Sequence, residues 1–315
     1  MSISIKRYSP EDAPIWYDFV EKARNGHFMF HRAYMDYHSD RFNDHSLLFY
    51  HKEKLVALLP ANEKEKDVHS HQGLTYGGLI ISEHTNAQTV LNIFEELLTY
   101  FKTLSFTKLT YKALPYIYFT HPTQEDQYAL FRNNASLVKT ELSSCISLQA
   151  PDSFLRADVK RKFQRAKRLG CTIRTAPTAT ALWPLIDQVL NKTHGVIPTH
   201  SLKEINHLIE QFPQNILVFE VLDEGKNLIG GTVLYLTKHV VHVQYSASNE
   251  AGRYLGALPF LFCSLIHEFR TKGYAYFNFG NSNEQQGQVL NTSLNSFKES
   301  FGARGLALNT YSINL

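Results

Sequence analysis

The sequence predicts a mixed α+β and α/β protein of two tandem domains, each a mixed, mainly antiparallel sheet flanked by helices. Three observations predict it. Residues 240–280 read strand, glycine turn, helix, strand in the segments VVHVQYS, AGRYLGA, ALPFLFCSLIHEFRTKG and YAYFNFG, the order of a βαβ-type unit. The first half of the chain shows a similar order of elements. The chain has 315 residues, 43% apolar and 19% charged, which suffices for two ordinary domains with real cores and argues against disorder.

In chain order, residues 2–8 form a short strand. Residues 11–23 have helical spacing, with Ile15, Phe19 and Val20 on one face and Pro10 just ahead of the start. A second helix or pair of turns covers 31–42. The segments 45–51, 55–63 and 67–82 are separated by KEK turns and read as a β-meander. A helix over 91–104, a strand over 108–114, a short helix over 125–135 and a strand over 139–149 complete the first half. The second half opens with a strand over 171–176 and helices over 181–194 and 201–212. Residues 215–248 read as three strands joined by tight turns at DEGKN and TKH. The helix 257–273, the strand 274–280, a polar loop NSNEQQG at 281–287 and a last helix ending in LNSFKESFG at 294–302 follow. No residue-level repeat is visible, so the duplication rests on element order. The boundary falls at 150 and 151, giving domains 1–150 and 151–315, the second opening with a basic connector helix.

Several residues in this frame have chemistry to offer. A helix opening on Gly256 points free backbone N–H groups out of its first turn, which suits a phosphate. Gly252, Arg253, Gly256 and Ala257 are therefore candidate donor-binding residues. The connector carries seven basic residues and one acidic residue between Leu155 and Gly170. Leu155, Val159, Phe163 and Ala166 form its apolar stripe. Arg161 and Arg165, four apart, share a face and suit two-point contact with an anion; a merely solvated basic face is the bland alternative. In the first half, His69 and His71 alternate on an expected strand and so share a side. His71, Tyr76 and Gly77 are candidate acceptor-binding residues lining a cleft, and no third ligand beside the two histidines points to a metal. Lys298 is the only lysine after Lys272, and it lies among Phe297, Phe301 and Gly302.

The unit FNFGNSNEQQG followed by SFKESFGAR resembles the Fem-like branch of the GNAT acyltransferase superfamily, which carries an FDFG-like strand end, a glycine loop and an FKxxFG ending. RKFQRAKRLG at 161–170 is similar to the basic helix of that branch. The resemblance covers the C-terminal half well and the N-terminal half loosely. It implies tandem GNAT-like domains and formation of an amide from an activated acyl donor and an amine. It implies an acceptor of the amino sugar or peptide kind used in the cell envelope. The implied co-substrate is an acyl-CoA, favoured here because a long helical insertion is absent, or else an aminoacyl-tRNA; no cofactor is permanently bound. It places Lys298 beside the acyl-transfer centre and Tyr245, with Gln244, on the strand that splays to admit the acyl group. Alternation allows only one of those two to face the site. Glu284 is a candidate to take the amine's proton. Two departures stand out. The pattern Q/R-x-x-G-x-G/A is met by Arg253 and Gly256 but ends on Leu258, and Phe297 occupies the place of a tyrosine general acid, on the donor side.

A net charge of +3 does not predict nucleic-acid binding by the whole molecule. No apolar run is long enough to span a bilayer. Three scattered cysteines point to a reducing compartment, so a cytoplasmic location is expected. Partners are a small-molecule or nucleotide-linked acceptor, with transfer RNA as an alternative; oligomeric state is open. Two other classes compete: a binding protein with a degenerate GNAT fold, and an RNA-binding protein using the 155–170 helix.

Overall fold

The computed structural model describes residues 3–150, 155–194 and 197–315. It is a mixed α+β fold whose sheets are flanked by helices. The chain divides into two compact units, Met1–Glu141 with Ala307–Leu315, and Leu142–Leu306. The expected boundary abuts residues 151–154, which lie outside the described residues. The last nine residues join the first unit because the final strand, Arg304–Asn314, pairs there with Lys108–Lys112. That strand was not foreseen, although LALNTYSINL alternates in the manner of one.

In the first unit, Ile3–Arg7, Leu47–His51, Lys54–Leu59 and Ile80–Ile81 form an antiparallel sheet in that order. The helix Ala87–Thr103 begins where Asn86 accepts a hydrogen bond from the Thr89 N–H, and it buries Val90, Ile93, Phe94, Leu97 and Phe101. It leads into Lys108–Lys112, which pairs in parallel with Asp67–His69. The single strand expected over 67–82 is in fact two short ones, Asp67–His69 and Ile80–Ile81. His71 has φ 66°, a left-handed conformation that ends the alternation. His69 and His71 therefore do not share one strand face.

In the second unit, Thr172–Ala176, Ile216–Leu222, Leu228–Leu236 and Val240–Ser248 form an antiparallel meander. The helix Ala257–Thr271 then crosses to Tyr276–Asn281, which runs parallel to Val240–Ser248. Each unit thus has an antiparallel sheet followed by a helix and a strand with a parallel neighbour, but in the first unit that strand pairs with Asp67–His69 and not with the four-stranded sheet the helix leaves. The turn expected at 251–257 is a short helix, Glu250–Leu255, capped by the Asn249 side chain and closed by Gly256 at φ 89°. The core of this unit gathers Phe262, Phe269 and Phe277 with the aliphatic residues of the sheet.

The basic helix is Ala157–Arg168. Its stripe packs as the spacing predicts: Val159 and Ala166 are buried, and Leu155 and the Phe163 ring, 5.6 Å from Phe260, lean on the core. The partner is the helix Ala257–Thr271 of the same unit.

Candidate active site

The site begins where two parallel strands part. Val240–Ser248 pairs with Tyr276–Asn281 only from Val240 to His242. Beyond that point each strand carries an irregularity. Val233 faces Tyr245 while Leu234 faces Val243, so Gln244 is an extra, bulged residue. On the other strand the register against the neighbouring strand shifts between Asn278 and Asn281. Gly280 sits in that gap at φ 74°, a conformation glycine adopts without steric cost. Its N–H donates to the Asn278 side chain at 3.0 Å, and the same oxygen accepts from Ser143 at 2.7 Å. Bulges of this kind re-aim side chains and end pairing.

Lys298 comes to this gap on the helix Thr292–Glu299. Asn291 caps that helix by accepting from the Leu294 N–H at 3.0 Å, and Asn295 fixes its face by accepting from Ser144 at 3.2 Å. The Lys298 ammonium donates to the Gly280 carbonyl at 3.0 Å and also to that of Asn281. Lys298 is only 6% exposed, and burial pushes its pKa down to about 7, because the charged form loses its hydration. The flanking aromatic residues form a box: Phe262 meets Phe279 at 5.0 Å, Phe301 at 5.7 Å and Phe297 at 6.4 Å, mostly edge to face. Phe297 is thereby a partly buried fringe of the core.

Tyr245 lies on the bulged strand. Its hydroxyl is 2.7 Å from His200 Nδ1, and its ring meets Trp183 edge-on at 5.2 Å. Burial pushes its pKa up. With Gln244 as the inserted residue, simple alternation no longer decides which of Gln244 and Tyr245 faces the site, and both are half-buried. Strand alternation lapses at an inserted residue. Glu284 is exposed, in the two-residue strand Asn283–Glu284, and accepts from Asn291 at 2.8 Å. Its carboxylate thus steadies the cap of the Lys298 helix.

The glycine turn is filled differently from the sequence reading. The Gly256 N–H donates to the Gly252 carbonyl at 2.9 Å. Pro259, third in the helix Ala257–Thr271, brings no N–H. A Cβ on Gly256 would lie 2.9 Å from the Lys162 carbonyl oxygen, and one on Gly252 would lie 2.0 Å from that of Ile229. Both glycines therefore let other backbone approach: the basic helix at Gly256 and the strand Leu228–Leu236 at Gly252. Ala257 is fully buried. Arg253 is exposed and donates to the Ser248 carbonyl at 3.1 Å. Replacing Gly252 with Ala is expected to cost about 2 kcal/mol or more in chemical denaturation; an unchanged midpoint with weakened donor binding would instead mark Gly252 as a ligand-facing residue.

Arg161 is exposed on the basic helix, and Arg165 stacks its guanidinium 4.0 Å above the exposed ring of Tyr254. His71, Tyr76 and Gly77 belong to the first unit. His71 stacks on His38 at 5.3 Å, and burial, with His38, Arg32 and Lys112 nearby, pushes its pKa down to about 3. Gly77 admits the Ser70 carbonyl, which would lie 2.0 Å from any Cβ there. Tyr76 lines a small cavity of about 190 Å³ with Thr75, Lys112, Lys139, Glu141 and Asn309. Among the described residues, no three His, Cys, Asp or Glu side chains are grouped to hold a metal ion, and no helix is long and apolar enough to cross a membrane.

The sequence reading passed over His242. Its signal was present: in VVHVQYS one histidine interrupts an otherwise apolar stretch, two residues before Gln244. The residue is buried, and its Cε1 lies 3.6 Å from where a Gly280 side chain would begin.

Residues 153–286 match a family model described as an acetyltransferase (GNAT) domain. No curated protein matches the sequence. Among solved structures, FemX is similar over 99% of this chain and 97% of its own, with 8% identity and a TM-score of 0.71. L-PGS from Bacillus licheniformis is similar over 97% of this chain and 91% of its own, at 14% identity and a TM-score of 0.63. A tandem GNAT protein from the clavulanic acid biosynthesis pathway covers 99% of this chain and 98% of its own, at 9% identity and a TM-score of 0.54. At these identities the likeness is one of fold. The splayed strands, the crossover helix and the family match together place an acetyltransferase (GNAT) domain at residues 153–286, in a chain that shares the fold of FemX.

Proposed function

We propose that the protein forms an amide between an activated acyl donor and an amine acceptor, with Lys298 stabilising the oxyanion of the tetrahedral intermediate. The acceptor is an amino sugar or peptide of cell-envelope biosynthesis. The donor is an acyl-CoA, with an aminoacyl-tRNA as the alternative. The observation that carries this reading is the buried Lys298 ammonium, held by the Gly280 and Asn281 carbonyls at the point where the two parallel strands separate. A fixed cation in a water-poor site acts strongly on charge that develops during reaction, because it needs no reorganisation at that moment. The burial of Lys298, with only 6% of the residue exposed, keeps most water from it. The similarity to FemX and L-PGS supports the general class.

Tyr245, on the strand that splays, lines the acyl channel, and Phe297 closes the donor side beside Lys298. Arg253 supplies a cation for the donor's phosphates, and Arg161 with Arg165 are acceptor-binding candidates for the phosphates of a nucleotide-linked acceptor, or else for those of coenzyme A or a transfer RNA acceptor stem. The N-terminal domain, residues 1–150, is assigned to the acceptor, with His71, Tyr76 and Gly77 as its candidate contacts and the Tyr76 cavity as its most concrete feature. The reaction takes place in the cytoplasm.

The test supplies the purified protein with acetyl-CoA or alanyl-tRNA and a panel of amines, including amino sugars and lysine-containing peptides, and follows amide formation by mass spectrometry. Donor-dependent amide supports the reading. A protein that binds neither donor and forms no amide has lost the chemistry of its fold. Charge reversal by Arg165→Glu removes the guanidinium stacked on Tyr254, and binding of the acceptor or of the working donor is expected to weaken at least about tenfold, the scale of one charge-assisted hydrogen bond. The melting temperature is expected to stay nearly constant, because Arg165 lies outside the apolar stripe of its helix. Unchanged affinity in a direct titration would return this helix to a solvated basic face.

A further inference from the structure

We propose that His242 is a catalytic residue whose unoccupied ring nitrogen takes the proton that the amine nitrogen sheds as the amide bond forms. The proposal rests on the acyl-transfer reading above and assigns the one role in it that the exposed Glu284, already accepting from Asn291, fills poorly.

Position is the first argument. His242 is the last residue of its strand to pair with the parallel neighbour, opposite Asn278. It therefore stands at the mouth of the split through which an acyl group would enter. Gly280 separates it from Lys298. The lysine holds the Gly280 carbonyl, and the nearest atom to the vacant side-chain position of Gly280 is His242 Cε1, at 3.6 Å. A substrate atom lodged there would touch the imidazole edge and the Val243 carbonyl, one residue's width from the ammonium that holds the Gly280 carbonyl.

The state of the ring is the second argument. His242 Nδ1 is buried and has no hydrogen-bond partner. Nε2 is not stranded in this way, so the proton of the neutral ring is better placed there. The proton on the neutral ring is then on Nε2, and Nδ1 presents a bare lone pair. A buried acceptor without a donor is costly, and a ligand N–H would satisfy it.

Timing is the third. Burial and the Lys298 charge push the His242 pKa down to about 4, so the ring is neutral when substrate arrives. As the amine attacks, the C–N bond forms and the carbonyl pair moves to oxygen beside Lys298. That negative charge offsets the ammonium, which removes one cause of the low proton affinity of His242. At the same moment the nitrogen becomes cationic, and its proton passes to Nδ1. The oxyanion pair then re-forms the carbonyl, the bond to the leaving sulfur or oxygen breaks, and the leaving atom takes the proton from the imidazolium. Neutral amine and acyl donor become amide and protonated leaving group, with His242 restored.

The experiment has two arms on the full-length protein. Heteronuclear NMR of the histidine ring nitrogens, with His242 assigned by difference against His242→Gln, is expected to show the Nε2–H form with bare Nδ1 at neutral pH. In Lys298→Met the ring is expected to titrate about one unit higher or more, since the charge that opposes its protonation is gone. A proton resident on Nδ1, or an unmoved titration, overturns the proposal. In transfer assays with acetyl-CoA or alanyl-tRNA as donor and hydroxylamine as the amine probe, His242→Gln is expected to lower kcat at least about a hundredfold with little change in KM. Added imidazole is expected to restore part of the rate to His242→Gly. A variant as active as the wild type removes His242 alone. A wild type inert with both donors removes the acyl-transfer reading and this proposal together.

Discussion

Lys298→Met is expected to lower turnover at least about a hundredfold, the scale for loss of one oxyanion donor, while the fold persists. Methionine keeps the length of the stem among Phe297 and Phe301 and removes only the charge. The variant should also reveal what the buried charge costs. The Lys298 pKa is depressed in the folded protein to about 7, below its ordinary value near 10.5 in the unfolded chain. Between these values the unfolded state binds more protons, so this group makes stability rise with pH through that window. Its penalty is therefore greatest below about pH 7 and vanishes above about pH 10.5. The Met variant should lose this dependence, with its melting temperature gaining most, relative to wild type, at acid pH. The activity prediction has the opposite sense: if the ammonium is the working form, the rate contributed by Lys298 declines as pH rises through about 7. Near-normal transfer by the Met variant would make Lys298 a structural clasp for the Gly280 and Asn281 carbonyls and remove it from the chemistry.

Phe262→Ala is expected to destabilise the second unit by about 3–5 kcal/mol, the range for a large aromatic side chain lost from a core. Phe262 is fully buried, and its ring meets those of Phe277, Phe279, Phe297 and Phe301. Two of these partners lie on the strand that ends at the gap, and the other two flank Lys298. The cavity would therefore loosen the strand end and the Lys298 helix together, and residual activity should fall further than the folded fraction alone predicts. In urea the midpoint should move down with the slope unchanged, since the surface exposed on unfolding is nearly the same. A loss under about 1 kcal/mol would mean that the aromatic residues repack freely and do not fix the site.

The two substitutions probe parts of the molecule that differ in how far the sequence discloses them. The stripe Leu155, Val159, Phe163 and Ala166 could be read from spacing alone, and so could the crossover helix, because a helix repeats every 3.6 residues whatever it packs on. The Lys298 neighbourhood was also legible, since FNFG and FKESFG are short contiguous strings. The mixed sheets followed from alternation and turn residues. Element boundaries were less secure. Asn249 as a cap and Gly256 as a left-handed terminator turned an expected turn into the helix Glu250–Leu255, and the final strand escaped notice although its residues alternate.

What the sequence by itself determined was therefore local: periodic faces, caps, strand runs and the lysine among phenylalanines. Tertiary structure decided which of these local features meet. Gly252 and Gly256 look like a phosphate turn in the sequence, yet backbone from Ile229 and Lys162 occupies the space beside them. Glycine signals only that something approaches, and distant residues decide whether it is chain or ligand. His69 and His71 share a face only if one strand runs through both, and the left-handed turn at His71 breaks it. Gln244 could not be placed because a bulge is defined by the partner strand's register, which is not written in its own neighbours. His242 acquires its buried, bare nitrogen only when Gly280 and the charge of Lys298 come to it from a neighbouring strand and a helix. Burial and charge proximity are properties of that convergence, so the chemistry they confer appears only in the folded chain.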